Sequence, residues 1–416
     1  MNGLALARLL VLAMPAVCGL AETASAAVDY SFLTAIPVPA TSANLQPGGV
    51  LSSFDISYAD MNGYYYLADR SNGAVDIVNG AINSVVAQAG VGMFTGQQPT
   101  TSKSGPDGVV VAHTPAGATL FAGNGDSTLL SFNVNNPANP TPQFPPLNTG
   151  GNFRVDEMAY SPSANLVLAA NNADTPAFGT LVNASTGTAV AGPITVSSSP
   201  PSGGLEQPAW DSKTGTFFIS VPALNGTNSP GGVAEITTTG AVVNTYDFAT
   251  LGLTSCSPTG LAVGGSGHLL VGCGNAKTQT VLLDPSANGG KGAILKTFTD
   301  VSGSDELWYD PASGDFYVTG VDSNGNRIFA VISDATATVL QLVSVPNVNA
   351  HSIAVDPLNE EVFLPLEPNS LCPGGCIAVY AQSVGVPEPS SLPLLAFAGL
   401  GLIGLAMLQR RSHQMA

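Results

Sequence analysis

Residues Ser304-Asp305-Glu306-Leu307-Trp308-Tyr309-Asp310-Pro311 run into a turn at Ser313-Gly314 and out again as Asp315-Phe316-Tyr317-Val318-Thr319. A short apolar strand, a turn of Asp, Pro and Gly, and a second strand rich in aromatic and β-branched residues make a hairpin. The same shape returns at His351-Ser352-Ile353-Ala354-Val355-Asp356-Pro357 with Val362-Phe363-Leu364, at Asp156-Glu157-Met158-Ala159-Tyr160-Ser161-Pro162 with Leu166-Val167-Leu168, and at Glu206-Gln207-Pro208-Ala209-Trp210-Asp211 with Phe217-Phe218-Ile219. Weaker copies begin at Phe54, Asp107 and Pro258. Seven copies spaced about 50 residues apart predict an all-β, seven-bladed β-propeller, each blade a four-stranded antiparallel sheet. A closed ring leaves few exposed strand edges.

Composition agrees. Charged residues are 9% of the 416, while Gly (47) and Pro (31) are frequent, which suits many tight turns and disfavours a helical bundle. The net charge of −17 repels nucleic acid and attracts divalent cations. We expect no nucleic-acid binding.

Both ends carry targeting features. Arg8, the apolar stretch Leu9 to Leu20 and Ala24-Ser25-Ala26 predict a signal peptide over 1–26, cut by signal peptidase. The body then spans 27–383. Over 384–416 the chain reads Pro387-Glu388-Pro389, an apolar run from Leu392 to Leu408, and Arg410-Arg411. The prolines hold the turn extended and the run of about 17 residues is just long enough for a transmembrane helix. The arginine pair keeps its far end cytoplasmic. This order resembles the PEP-CTERM sorting signal of Gram-negative bacteria. The resemblance implies recognition by an exosortase, an inner-membrane-anchored precursor, and delivery to the cell surface or extracellular matrix. It also implies an exopolysaccharide or matrix partner.

The repeat pattern is similar to NHL/YVTN propellers and, more distantly, to gluconolactonase/SMP-30 propellers, through pieces such as His351-Ser352-Ile353-Ala354-Val355-Asp356-Pro357. Four cysteines remain in an exported body, and an even number favours disulfides. The turn Cys372-Pro373-Gly374-Gly375-Cys376 brings its own ends together, which leaves Cys256 to pair with Cys273 on a neighbouring strand. A zinc site is the alternative for these four residues.

The aligned repeats place one column at Phe54, Asp107, Asp156, Glu206, Thr259, Asp305 and His351, where each inner strand begins at the channel mouth. The next column holds Asp55, Gly108, Glu157, Gln207, Gly260, Glu306 and Ser352. Strand alternation predicts that only one column faces the axis, and the first is preferred because it holds His351. Carboxylates crowded around an axis repel one another, and a divalent cation, Ca²⁺ foremost, would relieve them. Asp107, Asp156, Glu206, Asp305 and His351 are thus candidate metal ligands. The lactonase resemblance would make Glu206 and His351 catalytic, polarising a lactone or ester with the metal. The Asn ligands of that family have no counterpart in these columns. The competing reading is that the acids only lock blade to blade. His113 and His268 read as surface residues, Trp210 and Trp308 as packing residues, and Asp322-Ser323-Asn324-Gly325-Asn326 as a hairpin turn.

Overall fold

Seven antiparallel sheets follow one another around an axis in a computed structural model that describes residues 29–196, 204–225, 229–274, 279–302 and 305–383. The innermost strands of blades one to seven are Ser57–Ala59, Val109–Thr114, Met158–Ser161, Pro208–Asp211, Pro258–Val263, Leu307–Asp310 and Ala354–Val355. Each touches the next, and the seventh returns to the first, so the ring closes. The chain is a seven-bladed β-propeller. The expected signal peptide, the Pro387-Glu388-Pro389 motif and the 392–408 span lie outside the described residues. Among the described residues no helix is long and apolar enough to cross a membrane.

Blades stack face on face, and this explains their sequence. Both faces of the second strands are covered, so they read as unbroken apolar runs instead of alternating ones. Phe217, Phe218 and Ile219 are all fully buried, Phe217 and Ile219 against the third blade and Phe218 against the fifth. Fully burying such a side chain contributes roughly 1.5–3 kcal/mol.

The seventh blade contains a strand from the other end of the chain. Tyr30–Ile36 pairs antiparallel with Cys376–Gln382 and forms its outer edge. The repeat alignment did not reveal this strand, because it stands alone before the first copy. Both disulfides form as expected, Cys256 with Cys273 and Cys372 with Cys376. Asp322 closes a hairpin turn, its carboxylate accepting from the N–H groups of Asn324 and Asn326, both at 2.8 Å.

The start of the inner strands departs from simple alternation. The N–H of Asp156 donates to Ala170 O (2.7 Å), while Ala170 N–H donates to Glu157 O (3.1 Å), so two residues oppose one. Asp55-Ile56 oppose Ala68, Asp107-Gly108 oppose Gly123, and Glu206-Gln207 oppose Ser220 in the same way. These are β-bulges, which re-aim side chains. The expectation that only one column can face the axis is therefore corrected. Side chains of both columns reach the channel region, at different depths.

Candidate functional site: a charged mouth and an axial cavity

The ladder bonds also correct the alignment of the first blade. Asp55 N–H donates to Ala68 O just as Asp107 N–H donates to Gly123 O, so Asp55, and not Phe54, is the partner of Asp107 and Asp156. Carboxylate oxygens of Asp55, Asp107 and Asp156 lie within 4.8 Å of one another, and all three residues are buried. Two arginines sit among them. Arg70 follows the second strand of blade one and donates to both Asp55 and Asp107. Arg154 pairs with Asp156 at 2.7 Å. His351 stacks on Phe54 with centroids 5.3 Å apart, and its Nε2 faces Asp55 Oδ1 at 3.3 Å.

The sequence reading assigned charge relief to a cation, whereas here the chain's own guanidinium groups supply it. Burial alone would raise Asp55, but Arg70 and the His351 hydrogen bond outweigh it and hold its carboxyl well below the usual range. Burial pushes Asp156 up to about 7, with Arg154 offsetting only part. Burial would lower His351, yet the Asp55 hydrogen bond and the Asp305 charge raise it.

Of the five candidates chosen from the repeat, Asp107 and Asp156 belong to this cluster and His351 joins it through Asp55. Glu206 stands beside it, accepting from Asn172 Nδ2 at 3.3 Å, and burial followed by the charges of Asp156 and Asp305 pushes it up to about 8. Asp305 is exposed at the fringe. No hydrogen bond or ion pair joins Glu206 to His351, the two catalytic candidates. His113 and His268 are not simple surface residues. His268 Nδ1 lies 3.0 Å from Asp334 Oδ1, and His113 Nε2 lies 3.6 Å from Asp60 Oδ2.

Deeper along the axis the second column takes over. Gln207 Oε1 accepts from the backbone N–H of Leu261 (2.6 Å) and of Leu307 (2.9 Å), in the next blade and the one beyond. Glu306 repeats the device. It accepts from Ser57 N–H at 3.1 Å, two blades on, and takes hydrogen bonds from Ile353 N–H and the Ser352 hydroxyl in the blade between. Glu157, the corresponding residue of blade three, has neither partner. The next-blade donor, Leu261 for Gln207 and Ile353 for Glu306, has Pro208 as its counterpart for Glu157, and proline has no N–H to give. The N–H beyond, that of Leu261, already serves Gln207. Both carboxylate oxygens of Glu157 are buried and without a hydrogen-bond partner, and the residue is 2% exposed.

Glu157 lines a cavity of about 330 Å³ on the axis, walled by Tyr58, Met158, Trp210, Leu261 and Trp308, with Gln207 and Glu306 also in its lining. Trp308 of blade six touches the ring of Tyr58 in blade one at 5.4 Å, edge to face. The small Ala354 of the intervening blade leaves room for that reach. At Gly108 a Cβ would fall 1.8 Å from Asp156 O, so only glycine allows the close approach of blades two and three here. Neither the cavity nor Arg70 and Arg154 was anticipated. Arg154, two residues before Asp156 in a chain with few basic residues, was the available signal.

The PEP-CTERM protein-sorting motif matches residues 385–411. This chain carries a PEP-CTERM tail. The match takes in Pro387, Glu388, Pro389, Arg410 and Arg411, and the motif marks an exported, membrane-anchored bacterial precursor that an exosortase processes. No curated protein matches the sequence. A chain from the crystal structure of the mitotic checkpoint complex is similar, with a TM-score of 0.59 over 92% of this chain and 99% of that one. At 13% identity the likeness is one of fold. The tail says how the PEP-CTERM protein is handled and does not say what its propeller does.

Proposed function

We propose that this protein is an exported, non-enzymatic binding propeller that takes a ligand in its axial cavity after signal-peptide removal and exosortase processing. The observation that carries this reading is the cavity itself, with the buried, unpartnered carboxyl of Glu157 in a largely aromatic and apolar wall that also contains Gln207 and Glu306. Pockets of this kind, apolar with a few convergent polar groups, are the usual form of a small-molecule site. A cell-surface or matrix setting in a Gram-negative bacterium, with an exopolysaccharide partner, fits the tail.

The test is ligand-observed NMR of a fragment library against the full-length protein in detergent, beside Trp308→Ala. Fragments that bind the wild type and are lost from the variant support the reading. A library in which nothing distinguishes the two proteins overturns it. Replacing Pro387-Glu388-Pro389 with alanines should leave the uncleaved precursor in the membrane fraction on an immunoblot.

A second reading is a divalent cation, Ca²⁺ foremost, at Asp55, Asp107 and Asp156, with a metal-dependent lactonase or esterase as its enzymatic form. Its support is the 4.8 Å grouping of oxygens. As arranged, the set does not fit a cation, since Arg70 already engages two of the three carboxylates. Calcium titration by calorimetry and a lactone panel with and without chelator decide it: no calcium heat and no chelator-sensitive turnover would end this reading.

A further inference from the structure

The chemistry of the cavity narrows its ligand, granted the binding reading above. Its lining contains Glu157 and Glu306 but no Lys, Arg or His. Two tryptophans and Tyr58 contribute rings to the same wall. Gln207 and Glu306 spend their oxygens on backbone N–H groups of neighbouring blades. Glu157 alone is unspent, because Pro208 breaks the pattern that satisfies the other two. A buried polar group without a partner is costly, and a proline that maintains that cost makes sense if something else supplies the partner.

A carboxyl beside aromatic rings, with no basic group in the lining, is complementary to a positive charge that is partly apolar. The ring faces attract a cation by their quadrupole and the carboxylate pairs with it. An anion would meet two acids and no cation.

We propose that the axial cavity binds a small organic ammonium ion, with Glu157 as its counter-charge and Trp210, Trp308 and Tyr58 as its aromatic walls. Burial, with the nearby charges of Glu206, Asp156, Asp305 and Glu306, holds the Glu157 carboxyl well above its usual range. A bound cation favours the carboxylate, so binding should draw the Glu157 proton off to solvent.

The experiment is isothermal titration calorimetry of the full-length protein in detergent with choline, with its uncharged isostere 3,3-dimethylbutan-1-ol, and with acetate. Choline should bind at least tenfold more tightly than the isostere, and its heat should change with buffer ionisation enthalpy as one proton is released. Glu157→Gln, which keeps the shape, should weaken choline at least tenfold. Pro208→Ala returns an N–H beside Glu157, so it should also weaken choline while raising the unfolding midpoint, which separates lost binding from lost folding. Equal binding of choline and the isostere overturns the ammonium assignment and leaves a cavity that binds uncharged ligands. Acetate binding alone overturns it through the sign of the charge. If none of the three binds and the fragment screen is also blank, the binding reading falls with it.

Discussion

The phenol oxygens of Tyr30 and Tyr317 lie 2.8 Å apart and join residues separated by 287 positions. Tyr30 belongs to the closing strand of blade seven, and Tyr317 to the second strand of blade six. Tyr30 also packs edge to face on Tyr317 (5.8 Å) and Phe329 (6.1 Å). Tyr30→Phe removes two hydrogen bonds, the buried one with Tyr317 and the one its oxygen accepts from Gln382 Nε2 at 3.2 Å, and should cost about 1–2 kcal/mol. Tyr30→Ala removes the ring as well and should cost roughly 3–5 kcal/mol. Urea denaturation monitored by tryptophan fluorescence measures both. A negligible cost for the alanine variant would mean that this seam does not hold the ring shut.

Arg70 is the centre of a buried charge network, so removing it alone is costly. Arg70→Met leaves Asp55 and Asp107 buried without their guanidinium and should destabilise by roughly 3–5 kcal/mol. Adding Asp55→Asn and Asp107→Asn to the same chain should recover much of that loss, because the stranded charges go too. No recovery in the triple variant would show that Arg70 acts by packing and not by charge.

Glu306 gives a pH signature with a definite sign. Burial, only partly offset by hydrogen bonds from Ser352 and Ser57, lifts it from 4.5 in the unfolded chain to about 8. Its contribution to stability is fully present below pH 4.5 and is lost as the pH rises through 8. Asp156 and Glu206 act in the same direction. Glu306→Gln keeps an acceptor for the Ser57 and Ile353 N–H groups and has no proton to lose, as Gln207 already illustrates. Relative to wild type the variant should therefore gain roughly 1–3 kcal/mol between pH 5 and pH 9. Parallel denaturation series at the two pH values read the difference, and a constant offset would contradict it.

The two disulfides should contribute unequally. Cys256–Cys273 closes a span of 17 residues and Cys372–Cys376 a span of 4. Loop-closure entropy gives about 3 kcal/mol for the longer and about 2 kcal/mol for the shorter. Differential scanning calorimetry of the paired alanine variants should show the larger drop in Tm for the first. The reverse order would mean that contacts at Leu51, whose N–H donates to Gly374 O at 2.8 Å, outweigh chain entropy.

The fold was legible because each blade must restate one hairpin. Trp308-Tyr309-Asp310 and Ile353-Ala354-Val355 announce it through their turns, and a period near fifty has few other solutions. Pairing of the cysteines followed from the turn at Pro373-Gly374. The site was harder to read for three reasons. A bulge adds a residue without marking it, so alternation allowed only one of Asp156 and Glu157 to face inward, whereas both reach the channel region. The first blade lies one position out of step, which hid Asp55 behind Phe54. Arg70 comes from the far end of a second strand, and no column of inner-strand starts contains it. The empty position at Glu157 depends on Pro208, whose meaning appears only once blades three and four are neighbours.

The closing strand sets an order on manufacture. Tyr30–Ile36 emerges first and finds its mate, Cys376–Gln382, only when nearly everything else has been made. Six blades are complete within their own stretches of sequence, while the seventh must recruit the earliest-made segment across the whole molecule. Joining these two ends is thus one late event for a protein that also has to cross a membrane. A cut near Pro387 would fall beyond Gln382, so trimming the tail would spare the last hydrogen-bonded strand and leave a ring whose circumference is already sealed.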